Sequence, residues 1–568
     1  MHIDIVPNRG SRPAYLLRES FRDGARVRKR TLANLSSLSD QQILAIRAVL
    51  RGEPLQRPEE LFEAIASRAH GHVQAVLVAM QRLGVGALLA ASPCRERDLV
   101  CAMIVARVLA PHTKLATTRW WHTTTLAEEL DVVEADEDDL YEAMDWLLER
   151  QGAIEKKLAA RHLRAGGLVL YDLSSSYFEG MSCPLGRIGH NRDGKKNKLQ
   201  VNYGLLTDAR GCPVAVSVFE GNTTDSQTLL PQAKRLRSAF GIDTIVIVGD
   251  RGMISQKSIQ ELRQSQTLDW ITALKSAQIG AMLEDGTVQL GLFDERNLFE
   301  FTHPQFPAER LIACRNAQLA QLRAHKRQAL LQATAAELEK VRSMVARKRL
   351  RGADQIGVRV GRVLNKYKVA KHFELEIDDE RCSFRIREDQ VAAEARLDGI
   401  YILRTPVAET TMDAAQVVRS YKSLAQVERA FRSLKTVDLK IRPIHHQLAD
   451  RVRAHIFLCM LAYYVQWHMQ EAWRALLFAD EDQDARRRRD PVASAKRSAH
   501  AELKASTQTL ADGSPAHSLR TLLEQLSCIV RNTCKAPNSA PDTPTFCIVT
   551  RPNPVQQRAL ELLNTMPV

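Results

Sequence analysis

At Gly167 the chain changes texture in a way that restricts its fold more than any other feature. Three strand-like runs, LVLYDLSSSYFEG, KLQVNYGLLTD and PVAVSVFEGN, follow one another through turn-rich connections containing NRDGKKN and ARGCP, which predicts an antiparallel meander. A helix is expected from Ser226 to about Phe240 with Asp225 as its N-cap, then the strand TIVIVGD, a helix near Gln256–Gln264 and the strand WITAL. Strands in succession followed by alternating helices and strands imply an α/β mixed sheet with helices packed on its faces.

The pattern breaks after Leu274 and resumes with the strand DGIYILRT and a helix from near Asp413. Residues 275–398 therefore read as an inserted α+β domain, a long charged helical segment from RLIACR to RKRL followed by the strand-like HFELEI and CSFRI. Before the sheet, residues 58–165 carry apolar residues at helical spacing in LFEAIASRAHGHVQAVLVAM and RDLVCAMIVARVL, which predicts a helical domain. Residues 1–57 form a basic region with two short strands around Asp23-Gly24, a pair suited to a tight hairpin turn. Residues 166–274 and 399–478 are the two parts of the core, and 479–568 a basic linker and C-terminal region containing ARRRRDPVASAKRS.

The 568 residues carry a formal charge of +14, which favours a polyanionic partner through phosphate contacts and counterion release. Charge alone leaves nucleic acid at even odds. The arginines and lysines of the N-terminal hairpin suit either a DNA backbone or a solvated face. From Arg342 to Lys371 ten basic residues face a single acid, Asp354, and here a DNA-facing surface is the better reading than a solvated helix end with a linker. Trp120 and Trp121 sit beside Lys114 and Arg119, yet large aromatics are mostly buried and a core role is favoured. The acidic run Glu134–Asp139 precedes a helix and reads as capping. Ten cysteines without a CxxC pair indicate neither a zinc module nor a disulfide framework. The apolar run Ile456–Trp467 is shorter than the ~20 residues of a membrane span and reads as a buried helix. With no signal-like N-terminus, a cytoplasmic setting is expected.

Three acids stand out. Asp172 interrupts an apolar strand, where an unpaired charge is expensive, and Asp250 closes the strand TIVIVGD at the edge where α/β sheets commonly place active sites. Each has an ordinary alternative: a buried Arg or Lys partner for Asp172, a helix cap for Asp250. In SYKSLAQVERAFRSLK, Tyr421, Glu428 and Lys435 recur every seven residues and so share one helix face, drifting ~20° per heptad. The ordinary alternative is a surface helix on which Glu428 pairs with Arg432 four residues on.

Together YDLSSSYFEG, NRDGKKNKLQVNYGLLTD, FEGNTTDSQTL, VGDRGMIS and YKSLAQVERAFRSLK, in this order, resemble the DDE transposases of bacterial insertion sequences. That family carries its third acid in a YxxRxxxExxxxxxK (YREK-type) signature; Tyr421, Glu428 and Lys435 fill their slots, while Leu424 stands where the arginine is expected. The resemblance implies a ribonuclease H-like catalytic core interrupted by an insertion, with Asp172, Asp250 and Glu428 as catalytic residues holding two Mg²⁺ ions, for which Mn²⁺ substitutes. It implies Tyr421 and Lys435 on DNA phosphates, with Arg432 as the substitute for the missing arginine. It further implies phosphodiester hydrolysis at transposon terminal inverted repeats, strand transfer into target DNA, and a homodimer pairing two ends near the nucleoid. His446 and Arg451 follow the signature closely and suit either DNA or plain surface. Two rival functions share these motifs: a non-catalytic DNA-binding descendant, and a nuclease of the same fold that cleaves without joining.

Overall fold

The computed structural model describes residues 1–53, 61–195, 197–264, 268–289, 293–294, 297–482, 490–493, 495–540 and 542–567. Two compact units emerge, one from Met1–Arg68 with Val530–Arg551, the other from Ala69–Ile529 with Pro552–Val568.

In the first unit, β1 (His2–Asn8), β2 (Ser11–Asp23) and β3 (Arg26–Asn34) form an antiparallel sheet. The β2–β3 turn falls at Asp23-Gly24, with Gly24 at φ +60° as the hairpin requires. Every residue of β3 is exposed. Several of its cations are paired: Lys29 and Arg18 reach Asp4 at 3.0 Å, and Arg30 reaches Glu19 at 2.9 Å. The run expected to begin the helical region instead opens with strand β4 (Glu63–Ala69). Its apolar and polar residues nearly alternate, so a partner strand decides its state, and that partner lies far downstream.

The second unit begins with helices Gly71–Arg82, Arg95–Leu109, Glu137–Glu149 and Gln151–His162. Trp121 is fully buried among them, and Asp136 caps Glu137–Glu149 by accepting from Asp138 and Asp139 N–H. Strands β5 (Gly167–Tyr177), β6 (Gln200–Asp208) and β7 (Pro213–Glu220) then form the antiparallel meander. The next helix, Asp225–Ser238, is capped by Thr224 and not by Asp225, which stands in the first turn. Strands β8 (Ile245–Val248) and β9 (Leu268–Ala273) add parallel to β5, β8 lying between β5 and β9. Both faces of this centre are covered, so β8 is buried throughout.

Beyond β9 the chain does not leave the sheet at once. Strands β10 (Leu298–Phe301) and β11 (Arg310–Arg315) join it through the later strand β14 (Ile400–Thr405), giving the order β10-β11-β14-β9-β8-β5-β6-β7. RLIACR, expected to open a long helix, is β11, because its Leu311–Cys314 core is buried on both faces and carries no alternation to mark a strand. The helix proper runs Ala317–Ala346 and folds back through Ala353–Tyr367 onto the hairpin of β12 (Phe373–Ile377) and β13 (Cys382–Ile386). These elements share a separate core around Leu338, Val341, Ile356 and Val360. The basic run is thus helix and turn where a linker was the alternative, and Arg347, Lys348, Arg349 and Arg351 have no acidic partner among the described residues.

After β14 come helices Ala414–Lys422, Leu424–Arg432 and Ala449–Ala472. The last contains the apolar run from Ile456 to Trp467, buried end to end. Among the described residues no single helix is long and apolar enough to cross a membrane. The arginine-rich run of the C-terminal region, 483–489, lies outside the described residues. Near its end the chain returns β15 (Val530–Lys535) and β16 (Phe546–Val549) to the first unit, where the order is β16-β15-β4, and closes with helix Pro554–Asn564 in the second.

Candidate active site

Adjacent parallel strands set the first two acids side by side. Leu170 of β5 pairs with Val248 of β8, and two residues further along each chain lie Asp172 and Asp250. Helix Leu424–Arg432 packs on β5 through Val427, Ala430 and Phe431, and this turns Glu428 outward, into the same space. Asp172, Asp250, Glu428, Arg432 and Lys435 all line one open cavity of about 400 Å³.

The ordinary alternatives for these acids do not occur. Among the described residues none of the three is in an ion pair, and Glu428 does not reach Arg432. The turn after Asp250 is closed by its backbone carbonyl, which accepts from Met253 and Ile254 N–H at 3.0 and 3.2 Å. Asp172 accepts the Leu173 N–H at 2.8 Å. Burial pushes the Asp172 carboxyl up to about 7, opposed by the Leu173 N–H and Arg192 and reinforced by the charges of Asp250 and Glu428.

Tyr421 Oη donates to Asp250 Oδ1 at 3.4 Å. The seven-residue spacing does not give one continuous helix: Ala414–Lys422 and Leu424–Arg432 join at Ser423, and Ser433–Val437 is a π-helical turn. The turn carries Lys435 inward, where it is buried and bonds Asp193 Oδ1 at 2.5 Å and Ser174 Oγ at 3.2 Å. Burial lowers the Lys435 ammonium pKa, and the Asp193 carboxylate partly restores it. Arg442 bonds the same Asp193 oxygen. Leu424, in the arginine slot, is half-buried against the hydrophobic core, so that position faces packing and not the cavity. Arg432 is exposed on the cavity wall.

His446 and Arg451 do not reach the cavity. His446 packs edge-on to Tyr141 and against His455, and burial drives its imidazole down to about 3. Arg451 bonds Asp145 at 2.8 Å and lies over the Tyr141 ring.

Sequence reasoning missed four participants. Arg192 and Asp193, from NRDGKKN, line the cavity together with Asp225 and Arg442, and Arg192 bonds Asp225 at 2.5 Å. In sequence the motif marks a turn and part of the family resemblance but assigns no role to these two residues; the fold brings their charges to the cavity of the acids.

Three oxygen-donor side chains converging without cationic partners, one of them held near neutrality, suit a hard divalent cation. Such a set on a mixed sheet, in a strongly basic chain, is of the kind phosphoryl-transfer enzymes acting on nucleic acid use. The transposase DDE domain matches residues 183–465, and the IS1634 family transposase N-terminal domain matches residues 3–64. The chain is a DDE transposase of the insertion-sequence type, an enzyme acting on DNA. The DDE match contains Asp250 and Glu428 and begins after Asp172. Curated proteins include no matching relative. Among solved structures, the cryo-EM structure of a piggyBac transposase synaptic complex with hairpin DNA matches at 8% identity and TM-score 0.33, over 80% of this chain and 77% of that one.

Proposed function

We propose that Asp172, Asp250 and Glu428 are the catalytic carboxylates of this transposase, that they hold two Mg²⁺ ions with Mn²⁺ as a substitute, and that the site both hydrolyses transposon ends and transfers the freed strand to target DNA. The observation that carries the proposal is their convergence: acids 78 and 178 residues apart in sequence (250 − 172, 428 − 250) line one cavity and none has a cation of its own. Metal bound there would activate water or a DNA 3′-hydroxyl and stabilise the leaving oxygen. Tyr421 orients the Asp250 carboxylate through its hydroxyl. Asp193 gathers Lys435 and Arg442 into a cationic wall against which a DNA phosphate would lie, and Arg432 on the rim would meet the backbone from solvent. The strand order β9-β8-β5-β6-β7, with only β5, β8 and β9 parallel, supports assigning the core to the ribonuclease H-like class. On this reading residues 166–274 and 399–478 form that core and 275–398 an insertion within it. The hairpin region (1–57) and the helices of 58–165 recognise transposon ends, with 479–568 as a basic C-terminal region. Two ends must be paired, which calls for a homodimer working on the nucleoid in the bacterial cytoplasm.

The test is Mg²⁺-dependent cleavage and joining of DNA carrying the element's own terminal repeats, with intact protein and Glu428→Gln. Cleavage and joining by the intact protein alone, with both proteins binding DNA, is the expected result. Equal activity in the two would remove Glu428 from the site, and cleavage without any joined product would make the enzyme a nuclease.

A further inference from the structure

Away from the carboxylates, three side chains of metal-ligating type from three separate elements meet, two of them buried and His162 half-buried. His162 ends helix Gln151–His162, Cys212 stands in the turn between β6 and β7, and His468 lies in the last turns of helix Ala449–Ala472. One donor atom from each lies within 4.8 Å of the other two. Cys212 is fully buried and His468 is 5% exposed.

The spacing is that of ligands around a common ion. Bond lengths of ~2.3 Å for Zn–S and ~2.0–2.1 Å for Zn–N at tetrahedral angles place sulfur and nitrogen about 3.6 Å apart; Cys212 Sγ and His468 Nε2 are 3.7 Å apart. The scaffold around the trio is fixed. Asp208 Oδ1 accepts the Cys212 N–H at 2.9 Å, which holds the sulfur in place, and Gly211 supplies the φ of +89° that the turn requires. The His162 and His468 rings lie 5.6 Å apart. Tyr464 Oη lies 3.0 Å from His162 Nε2 and accepts from the Arg161 guanidinium at 3.1 Å.

We propose that His162, Cys212 and His468 form a structural site for a thiophilic divalent ion of the Zn²⁺ class, which clamps the end of one helix, the β6–β7 turn and the long C-terminal core helix to one another. Binding replaces the Cys212 S–H proton by the metal and releases that proton to solvent; nothing is oxidised or reduced. The site is separate from the carboxylates, whose hard oxygens select a different class of ion. Its ligands are scattered over 307 positions (162 to 468 inclusive), which is why no cysteine-pair spacing reveals it.

Co²⁺ is the probe, because a cobalt–thiolate bond gives a charge-transfer absorption that oxygen ligands do not. Metal-stripped full-length protein should develop this band at one equivalent of Co²⁺, and Zn²⁺ should abolish it. Cys212→Ser should lack the band, His468→Gln should lose it or bind at least tenfold more weakly, and Glu428→Gln should keep it. Zn²⁺ should raise the melting temperature of the intact protein and leave that of His468→Gln unchanged, which guards against misreading a misfolded cysteine variant. Absence of the band in the intact chain, or a band that persists in both Cys212→Ser and His468→Gln, would overturn the proposal and leave a buried thiol–imidazole hydrogen bond.

Discussion

Asp172→Asn should stabilise the metal-free protein above neutral pH while destroying its Mg²⁺ response. The Asp172 carboxyl is raised from 3.8 to about 7, first by burial and then by Asp250 and Glu428. A group whose folded-state value is raised adds stability below its unfolded value, and that contribution is lost as pH climbs toward the folded value. Metal-free stability should therefore fall between pH ~4 and ~7. Each unit is worth ~1.4 kcal/mol, so the full shift corresponds to ~4 kcal/mol. Half-burial at an open cavity reduces this to roughly 2–3 kcal/mol by solvent screening. Asparagine keeps the shape and accepts the Leu173 N–H without the charge. Thermal melts in EDTA across pH 4–8 should show Asp172→Asn melting a few degrees above the intact protein at pH 8, with the two converging toward pH 4. Adding Mg²⁺ should raise the intact protein and leave the variant where it was. Equal pH slopes in the two proteins would refute the argument, because the carboxyl would then not be the group that titrates.

Two further outcomes follow from charges elsewhere. Replacing Arg347, Lys348, Arg349 and Arg351 together by Ala should weaken DNA binding at low salt and flatten the dependence of log K on log salt by up to ~0.9 for each phosphate no longer neutralised; an unchanged slope would show that this surface does not touch DNA. Glu309 is buried and accepts from Arg404 at 2.5 and 2.7 Å and from Arg263 at 2.5 Å. Glu309→Gln should cost about 3–5 kcal/mol by leaving Arg404 buried without its counter-charge, seen as a lower urea midpoint; a loss under about 1 kcal/mol, the range of exposed pairs, would mean that solvent reaches the pair.

Local chemistry made the centre of the fold legible and left its edges obscure. The meander, β8 and β9 could be read because turn residues bound each run, and Asp23-Gly24 announced its hairpin because few other pairs tolerate that turn. β11 and β4 could not. One is buried on both faces and looks like any apolar run, and the other is defined by partners near the far end of the chain. The same division runs through the site. Asp172 and Asp250 were visible because a charge in or at the end of an apolar strand is anomalous on its face, and Glu428 because its helix carries a recognisable signature. Arg192, Asp193, Asp225 and Arg442 lie in connections and helix ends, where charge is ordinary.

The role of Lys435 shows what spacing alone conceals. Seven-residue periodicity puts its side chain on the face of Glu428, pointing at substrate. The π-helical turn Ser433–Val437 inserts one extra residue per turn, and a local widening of this kind is common at functional sites. It is held by Gln466, which donates to Ser433 Oγ at 2.9 Å and to Asp438 Oδ2 at 2.8 Å. Lys435 is thereby rotated onto Asp193, which Arg442 shares, so two cations lean on one carboxylate in the same cavity as the three acids. Such an arrangement keeps positive charge next to the carboxylates without letting a lysine close an ion pair with them. On the proposed reading, the acids stay unpaired and open to metal, while the wall beside them remains attractive to phosphate.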